Sequence, residues 1–532
     1  MSFSKLLIAN RGEITVRIIR ACRELGISSV AVYSEADEGA MHVRLADEAY
    51  PLGPAPAAES YLNVGRILEV AKESGAEAVH PGYGFLSENA AFARAVEEAG
   101  VTWVGPPPEA MEAVGDKIRA KELARDAGVP TVPGYAGEDE SEERLAQEAE
   151  GIGYPVLVKA SAGGGGRGMR PVHDPKDLVE AVRSAKREAE SAFGEGSVFL
   201  EKLVERPRHV EVQVVADGHG NVVHLYEREC SIQRRHQKVV EEAPSPILNN
   251  ELRERICAAA VRLAKEAGYQ NAGTVEFLLS GEEGNFYFLE MNARLQVEHP
   301  VTELVTGLDL VHLQLAVAAG ERLPVSQEDV VLRGSAIETR LYAEEEGTGL
   351  PAGGNLLLFA PSEGPGVRND AGVETGDEVS LHYDPMIAKL IVFAQDREKA
   401  VPRLRRALRD YGVLGMPTNL PLLRRIAGHP SFAAGETTTD FLVEHELTVA
   451  PPSPSPPEEA FLLAAAGELS RSPTEEPHDP FAVGPWRLGG GGSPLLPGGR
   501  GGARGRGRAL EGRGPETAAG RARSHRRGAL RA

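Results

Sequence analysis

Residues 286–299 read FYFLEMNARLQVEH. Every second position from Glu290 onward is polar: Glu290, Asn292, Arg294, Gln296 and Glu298, with Met291, Ala293, Leu295 and Val297 between them. On an extended strand alternate side chains share a face. The spacing therefore predicts a row of carboxylates, amides and a guanidinium emerging together from a strand whose start, FYFL, is buried on both faces. Glu290 and Asn292 are the hard oxygen donors that magnesium takes alongside substrate phosphates. Glu276, inside the apolar run 274–279, offers a second carboxylate for such an ion, since a Glu in that setting is seldom buried without a partner. An outward-facing Glu is the plainer alternative there.

A second chemical signal is KASAGGGGRGM, residues 159–169, directly after the apolar stretch 154–158. Consecutive glycines cost backbone entropy and pack nothing, so they are kept mainly where backbone must approach a ligand closely. Their N–H groups can wrap phosphate oxygens, and Lys159 suits a phosphate point charge. No GK[ST] follows, so this is no Walker loop; a flexible turn is the bland alternative. In 208–217, RHVEVQVVAD, His209, Glu211 and Gln213 alternate with apolar residues. Gln233, Arg234, Arg235, His236 and Lys238 then gather donors in an anion-binding composition. Cys230 beside them reads as a small core residue rather than a nucleophile.

These residues need elements to hold them. The opening reads as an apolar strand over 6–9, a turn at Asn10-Arg11-Gly12, a helix over 13–25 and a strand over 29–33. The turn lacks GxGxxG, which excludes a dinucleotide fold of the usual kind. Strand and helix signals continue to about residue 110, a doubly wound unit. Most of the unusual chemistry lies in 117–324, and 335–446 reads as strand-rich α+β. The proline-rich APPSPSPPEEA from Ala450 is a linker. A chain of 532 residues predicts three or four folded units. The formal charge of −20 argues against nucleic acid and anionic membrane as partners. It divides into +8 from Gly489 onward and −28 before it. Three scattered cysteines suggest neither disulfides nor structural zinc. The N-terminal apolar run is too short for a signal segment, and a cytoplasmic protein is expected.

Over residues 3–446 the motifs IANRGEI, HPGYGFLSEN, GDK, KASAGGGGRGM, FLEK, RHVEVQV, RECSIQRRHQK, EMNARLQVEHPVTE, IETRLYAE and YDPMIAKL resemble, in combination, the biotin carboxylase component of biotin-dependent carboxylases, including acyl-CoA carboxylase α subunits. The resemblance implies an α/β and α+β multidomain fold. Its parts are a Rossmann-like domain over 1–114, an ATP-grasp domain over 115–330 with a Gly-rich lid over 131–203, and a biotin carboxylase C-terminal domain over 331–446. Beyond these, 447–488 is expected to be linker and the remnant of a further domain, and 489–532 a disordered Gly/Arg tail. The implied activity is ATP-dependent carboxylation of biotin by bicarbonate through carboxyphosphate. A different ATP-grasp ligase, of the carbamoyl-phosphate synthetase type, fits RHQK and EMNARLQVEH less well.

Carried over by position, the resemblance implies that ATP is bound by Lys117, Lys159, the loop Gly163, Gly164, Gly165, Gly166, Arg167 and Gly168, and by Glu201, Lys202, Leu203, His209, Gln233 and His236. Magnesium, or manganese, falls to Glu276, Glu290 and Asn292. Bicarbonate falls to Lys238, Arg294, Gln296, Val297 and Glu298, and biotin to Tyr83 and Arg340. The implied catalytic set is Glu298 as base with Lys238, Arg294 and Arg340. Expected partners are a biotin carboxyl carrier protein, a carboxyltransferase subunit and a second copy of the chain. No Met adjoins a Lys, so the biotin is expected on another polypeptide. One departure is the loop 349–354, GLPAGG, which lacks the aromatic residue usual in the family and is expected to alter local packing.

Overall fold

The computed structural model describes residues 2–137, 139–160, 169–193, 196–280 and 284–449, together with Ala460, Leu462, Leu463, Ala466 and Gly467. The glycine loop at 163–168 and the tail at 489–532 lie outside the described residues. Met1–Pro451 form one compact unit and Pro452–Ala532 a second; the fold that follows is that of the first.

Its N-terminal part is the doubly wound unit expected. Five parallel strands stand in the order Glu48–Gly53, Ser28–Ser34, Lys5–Ile8, Ala78–His80, Thr102–Trp103. Leu6, Leu7 and Ile8 of the central strand are wholly buried, as a strand covered on both faces must be. The helix Gly12–Leu25 buries Ile14, Ile18, Ile19 and Cys22 at helical spacing. It stops at Gly26, whose left-handed φ of 71° lets its N–H reach back to the Arg23 carbonyl.

The remainder is built on an eight-stranded antiparallel sheet. Its order is Phe286–Asn292, Asn271–Leu279, Arg208–Ala216, Val222–Arg234, Gln237–Ala243, Ser335–Tyr342, Met386–Ala394, Val367–Ala371. Gln237–Ala243 pairs with Ser335–Tyr342, so one sheet runs unbroken across the expected boundary at residue 330. A separate four-stranded sheet (Gly134–Tyr135, Val198–Lys202, Val156–Ala160, Arg170–Val172) carries the helices Glu142–Ile152 and Leu178–Phe193. Val156, Val158, Val172 and Leu200 form its own small core. The glycine-rich segment connects two of its strands.

Two local expectations need correction. The extended reading of 290–298 holds only to Asn292, where the strand ends. The chain then turns, and Glu298, at φ −83° and ψ 11°, is the N-cap of the helix His299–Thr306. The alternation of polar and apolar residues continues through the turn, which is why spacing alone could not locate the strand's end. Nor is FYFL buried on both faces: Phe286 and Phe288 are buried, Tyr287 and Leu289 half-buried. Among the described residues no single helix is long and apolar enough to cross a membrane.

Candidate active site

One cavity of about 1540 Å³ opens between the two large sheets and the four-stranded one. Tyr83, Lys117, Lys159, Glu201, Lys202, Leu203, His209, Gln233, His236, Lys238, Glu276, Glu290, Asn292, Arg294, Gln296, Val297 and Arg340 all line it. Of the expected site residues that are described, Glu298 alone stands behind the wall, fully buried.

The turn after Asn292 is what brings Glu298 there. Lys238, half-buried at the start of Gln237–Ala243, donates to Glu298 Oε1 at 2.7 Å, to Glu276 Oε1 at 2.8 Å and to Glu211. Arg340 donates through Nε to Glu241 Oε1 at 2.6 Å and through Nη2 to Glu298 Oε2 at 3.0 Å. Burial opposes the Glu298 charge, but Lys238, Arg340 and Arg228 outweigh it and hold the carboxyl well below its ordinary range. Burial likewise disfavours the Lys238 ammonium, and Glu211, Glu276 and Glu298 override it and push its pKa well up. Glu298 is thus ionised at neutral pH and bonded by Lys238 and Arg340, and it can accept a proton once an anion beside it offsets their charge. Cys230 is wholly buried, its thiol pushed well up by burial, which leaves no thiolate for nucleophilic attack.

Arg294 bonds its two nearest members of the former row, Asn292 and Gln296. Its Nη1 donates to Gln296 Oε1 at 2.9 Å and its Nη2 to Asn292 Oδ1 at 3.0 Å, while Nε faces Glu88 at 3.1 Å. Glu276 and Glu290 are directly opposite across two antiparallel strands. Glu276 is held by Lys238, by Asn292 Nδ2 at 3.0 Å and by His209 at 2.7 Å, whereas Glu290 is exposed to the cavity. Two carboxylates and an amide oxygen on one wall, one of them open, suit a divalent ion shared with phosphates.

On the side of the four-stranded sheet Lys159 and Lys121 both pair with Glu201. Burial lowers the Lys121 and Lys117 ammonium pKa values, so a phosphate arriving there would meet cations short of solvation. Lys202 donates to the carbonyls of Gly153 and Tyr154 at 2.9 Å each, adding to the pairing of its strand with Val156–Ala160 in the four-stranded sheet. Arg235 and His236 form the two-residue turn between Val222–Arg234 and Gln237–Ala243, with φ of 51° and 66°. Non-glycine residues seldom adopt that region, and the turn presents an exposed His236 to the cavity. At the departure in 349–354, Gly349 has φ +63°, and a Cβ there would come within 2.7 Å of the Arg234 guanidinium carbon.

Several residues escaped the sequence reading. Arg228, wholly buried, binds Glu211, Gln213, Thr274 and Thr302 at 2.5–3.1 Å and anchors the polar face on which Lys238 rests. Lys389 donates to the Val297 carbonyl at 2.8 Å and faces Glu13 at 3.2 Å; Glu13 in turn accepts from Tyr83. A lysine inside the apolar strand MIAKLIVFA was the available signal.

Residues 2–111 match the family described as biotin carboxylase, N-terminal domain. Residues 116–326 match carbamoyl-phosphate synthase L chain, ATP binding domain, and 338–444 match biotin carboxylase C-terminal domain. The chain is 55% identical over 443 residues to the biotin carboxylase of Halalkalibacterium halodurans, covering 83% of this chain and 98% of that one. It is 51% identical over 468 residues to the mitochondrial methylcrotonoyl-CoA carboxylase subunit alpha of Mus musculus, covering 88% of this chain and 65% of that one. The chain thus spans just under two thirds of that relative's length. Among solved structures, the biotin carboxylase domain dimer of Hydrogenobacter thermophilus 2-oxoglutarate carboxylase, in complex with MgADP, ADP and bicarbonate, superposes with a TM-score of 0.81 at 50% identity. It covers 85% of this chain and all of that one.

Proposed function

The chain belongs to the biotin carboxylase family, and on that premise we propose that it carboxylates biotin with bicarbonate and ATP, the first half-reaction of a biotin-dependent carboxylase. The observation that carries the proposal is the buried Glu298 gripped by Lys238 and Arg340 next to a wall of magnesium-type oxygen donors.

Bicarbonate would lie against Lys238 and Arg294, with Gln296 and the Val297 backbone completing the cradle. An anion there draws part of the positive charge away from Glu298 and raises its proton affinity, so the carboxylate removes the bicarbonate proton. The freed oxygen attacks the γ-phosphorus, the bond to ADP breaks, and carboxyphosphate forms. Lys117 and Lys159 place point charges on the phosphates, on whose side His236 lies, with Glu201, Lys202, Leu203 and His209 around the adenosine and Gln233 also binding ATP. Glu276, Glu290 and Asn292 would hold magnesium, which when bound would neutralise charge on the transferred group. Carboxyphosphate then yields carbon dioxide and phosphate, and the phosphate takes the proton from biotin N1. Arg340 stabilises the enolate oxygen while N1 bonds to carbon dioxide, and Tyr83 borders the ureido ring. Binding of the ATP phosphates by the loop 163–168 belongs to the same proposal.

The domain limits given above, a homodimer, a cytoplasmic setting and a role in acyl-CoA carboxylation, including fatty acid biosynthesis, belong to the same proposal. So do a separate biotin carrier protein and a carboxyltransferase subunit. Incubation with labelled bicarbonate, ATP, magnesium and free biotin should yield labelled carboxybiotin; absence of label in biotin, with ATP bound, would sink it.

A further inference from the structure

The sheet face beneath the helix His299–Thr306 holds two carboxyls that the reaction above does not use. Glu241 and Glu338 stand directly opposite each other on the antiparallel strands Gln237–Ala243 and Ser335–Tyr342, and both are fully buried. Opposed side chains on one face lie about 5 Å apart at Cβ, so two ionised carboxylates there would repel strongly.

Their surroundings differ. Glu241 Oε1 accepts from Arg340 Nε at 2.6 Å, and its other oxygen has no hydrogen-bond partner among the described residues. Glu338 has none on either oxygen. The charged groups facing the pair are already committed. Arg340, on the strand of Glu338, is divided between Glu241 and Glu298. Lys389, on the neighbouring strand Met386–Ala394, is held by the Val297 carbonyl and Glu13. Lys238, on the strand of Glu241, serves Glu211, Glu276 and Glu298, and Glu298 at the helix start adds a further negative charge. A buried carboxyl with no donor is stable only as the neutral acid.

We propose that Glu241 and Glu338 hold one proton between them, carried by Glu338, and that the ionised Glu241 is a positioning residue that aims Arg340. Burial pushes both carboxyls up, Glu241 to about 7 and Glu338 well above the ordinary range, so the pair retains a proton near neutrality. The role follows from the geometry. Once Glu298 has taken the bicarbonate proton, its hold on Arg340 weakens. Glu241, bonded to Nε, keeps the planar guanidinium oriented toward the biotin side through the second step.

This inference rests on the assignment of Arg340 to biotin, so the test separates the two. In E241Q the KM for free biotin should rise about tenfold or more, as for a lost charge-assisted bond, while bicarbonate-dependent ATP cleavage without biotin stays within about threefold. E241D, which keeps the charge, should recover part of the loss. E338Q mimics the neutral acid, so its biotin KM should stay within about twofold of the parent's. A carboxyl with a raised pKa keeps in the folded state a proton that the unfolded chain has released, so the parent loses stability as pH rises above the ordinary carboxyl range. The unfolding midpoint of E338Q relative to the parent should therefore climb with pH. An unchanged biotin KM in E241Q, a rise in E338Q equal to that in E241Q, or a midpoint difference flat in pH overturns the inference alone. A parent chain with no biotin-dependent turnover overturns it together with the assignment of function.

Discussion

At the scale of single residues the account turns on Glu298 and its two cations. Replacing the carboxylate by an amide keeps the shape and removes the base. E298Q should bind ATP as the parent does and lose bicarbonate-dependent turnover by about a hundredfold or more; turnover near the parent's would remove Glu298 from its role. Arg340 acts later in the proposed sequence, so R340A should lose biotin carboxylation more than bicarbonate-dependent ATP cleavage, read by parallel assays of ADP and carboxybiotin. Equal losses with ATP binding intact would move Arg340 to the earlier step. Lys238, Arg294 and Glu298 were legible because each sits in a run rich in polar residues, and Arg340 only through the resemblance of IETRLYAE to the family. Arg228, Glu241 and Lys389 were not: Lys389 stands among apolar neighbours, Arg228 between Glu227 and Glu229 and Glu241 beside Glu242, and in each case only the packing of strands from distant parts of the chain gives the charge its partner.

At the scale of elements the site is made by a strand that ends early. The pattern of 290–298 marked the right residues with the wrong shape: spacing of two fits a strand, yet the turn after Asn292 folds Glu298 back onto the sheet. What fixes that turn is the Lys389 bond to the Val297 carbonyl, with Glu13 at the start of the first helix steadying Lys389. Burial raises the Glu13 carboxyl to about 7 against the pull of Lys389. The folded chain therefore keeps a proton on Glu13 that the unfolded chain releases, and this contribution to stability falls as pH rises from the ordinary carboxyl range to about 7. E13Q should lose less stability than the parent between about pH 5 and about pH 8, measured by urea unfolding at both; an identical loss would mean that Glu13 ionises normally. The parallel sheet and its first helix were readable in advance from apolar runs and helical spacing. The continuity of the eight-stranded sheet was not, since pairing between residues 240 and 339 leaves no local mark.

At the scale of the molecule, every described site residue lies within Met1–Pro451, although the net charge changes from −28 to +8 at Gly489. A chain shortened to end at Val449 should carboxylate free biotin within about twofold of the full chain, and streptavidin should detect no covalent biotin on the full chain; failure of either would give the remaining residues a part in the reaction. The ATP-binding core alone fits more than one bicarbonate-using ligase, because residues 116–326 match an ATP-binding domain named for carbamoyl-phosphate synthase. Biotin separates them. The decisive measurement is ATP cleavage by the full chain with magnesium, with and without bicarbonate, and with and without free biotin. Cleavage that requires bicarbonate and is raised by biotin is the predicted result; cleavage that is indifferent to bicarbonate, or that biotin leaves unchanged, would contradict the account.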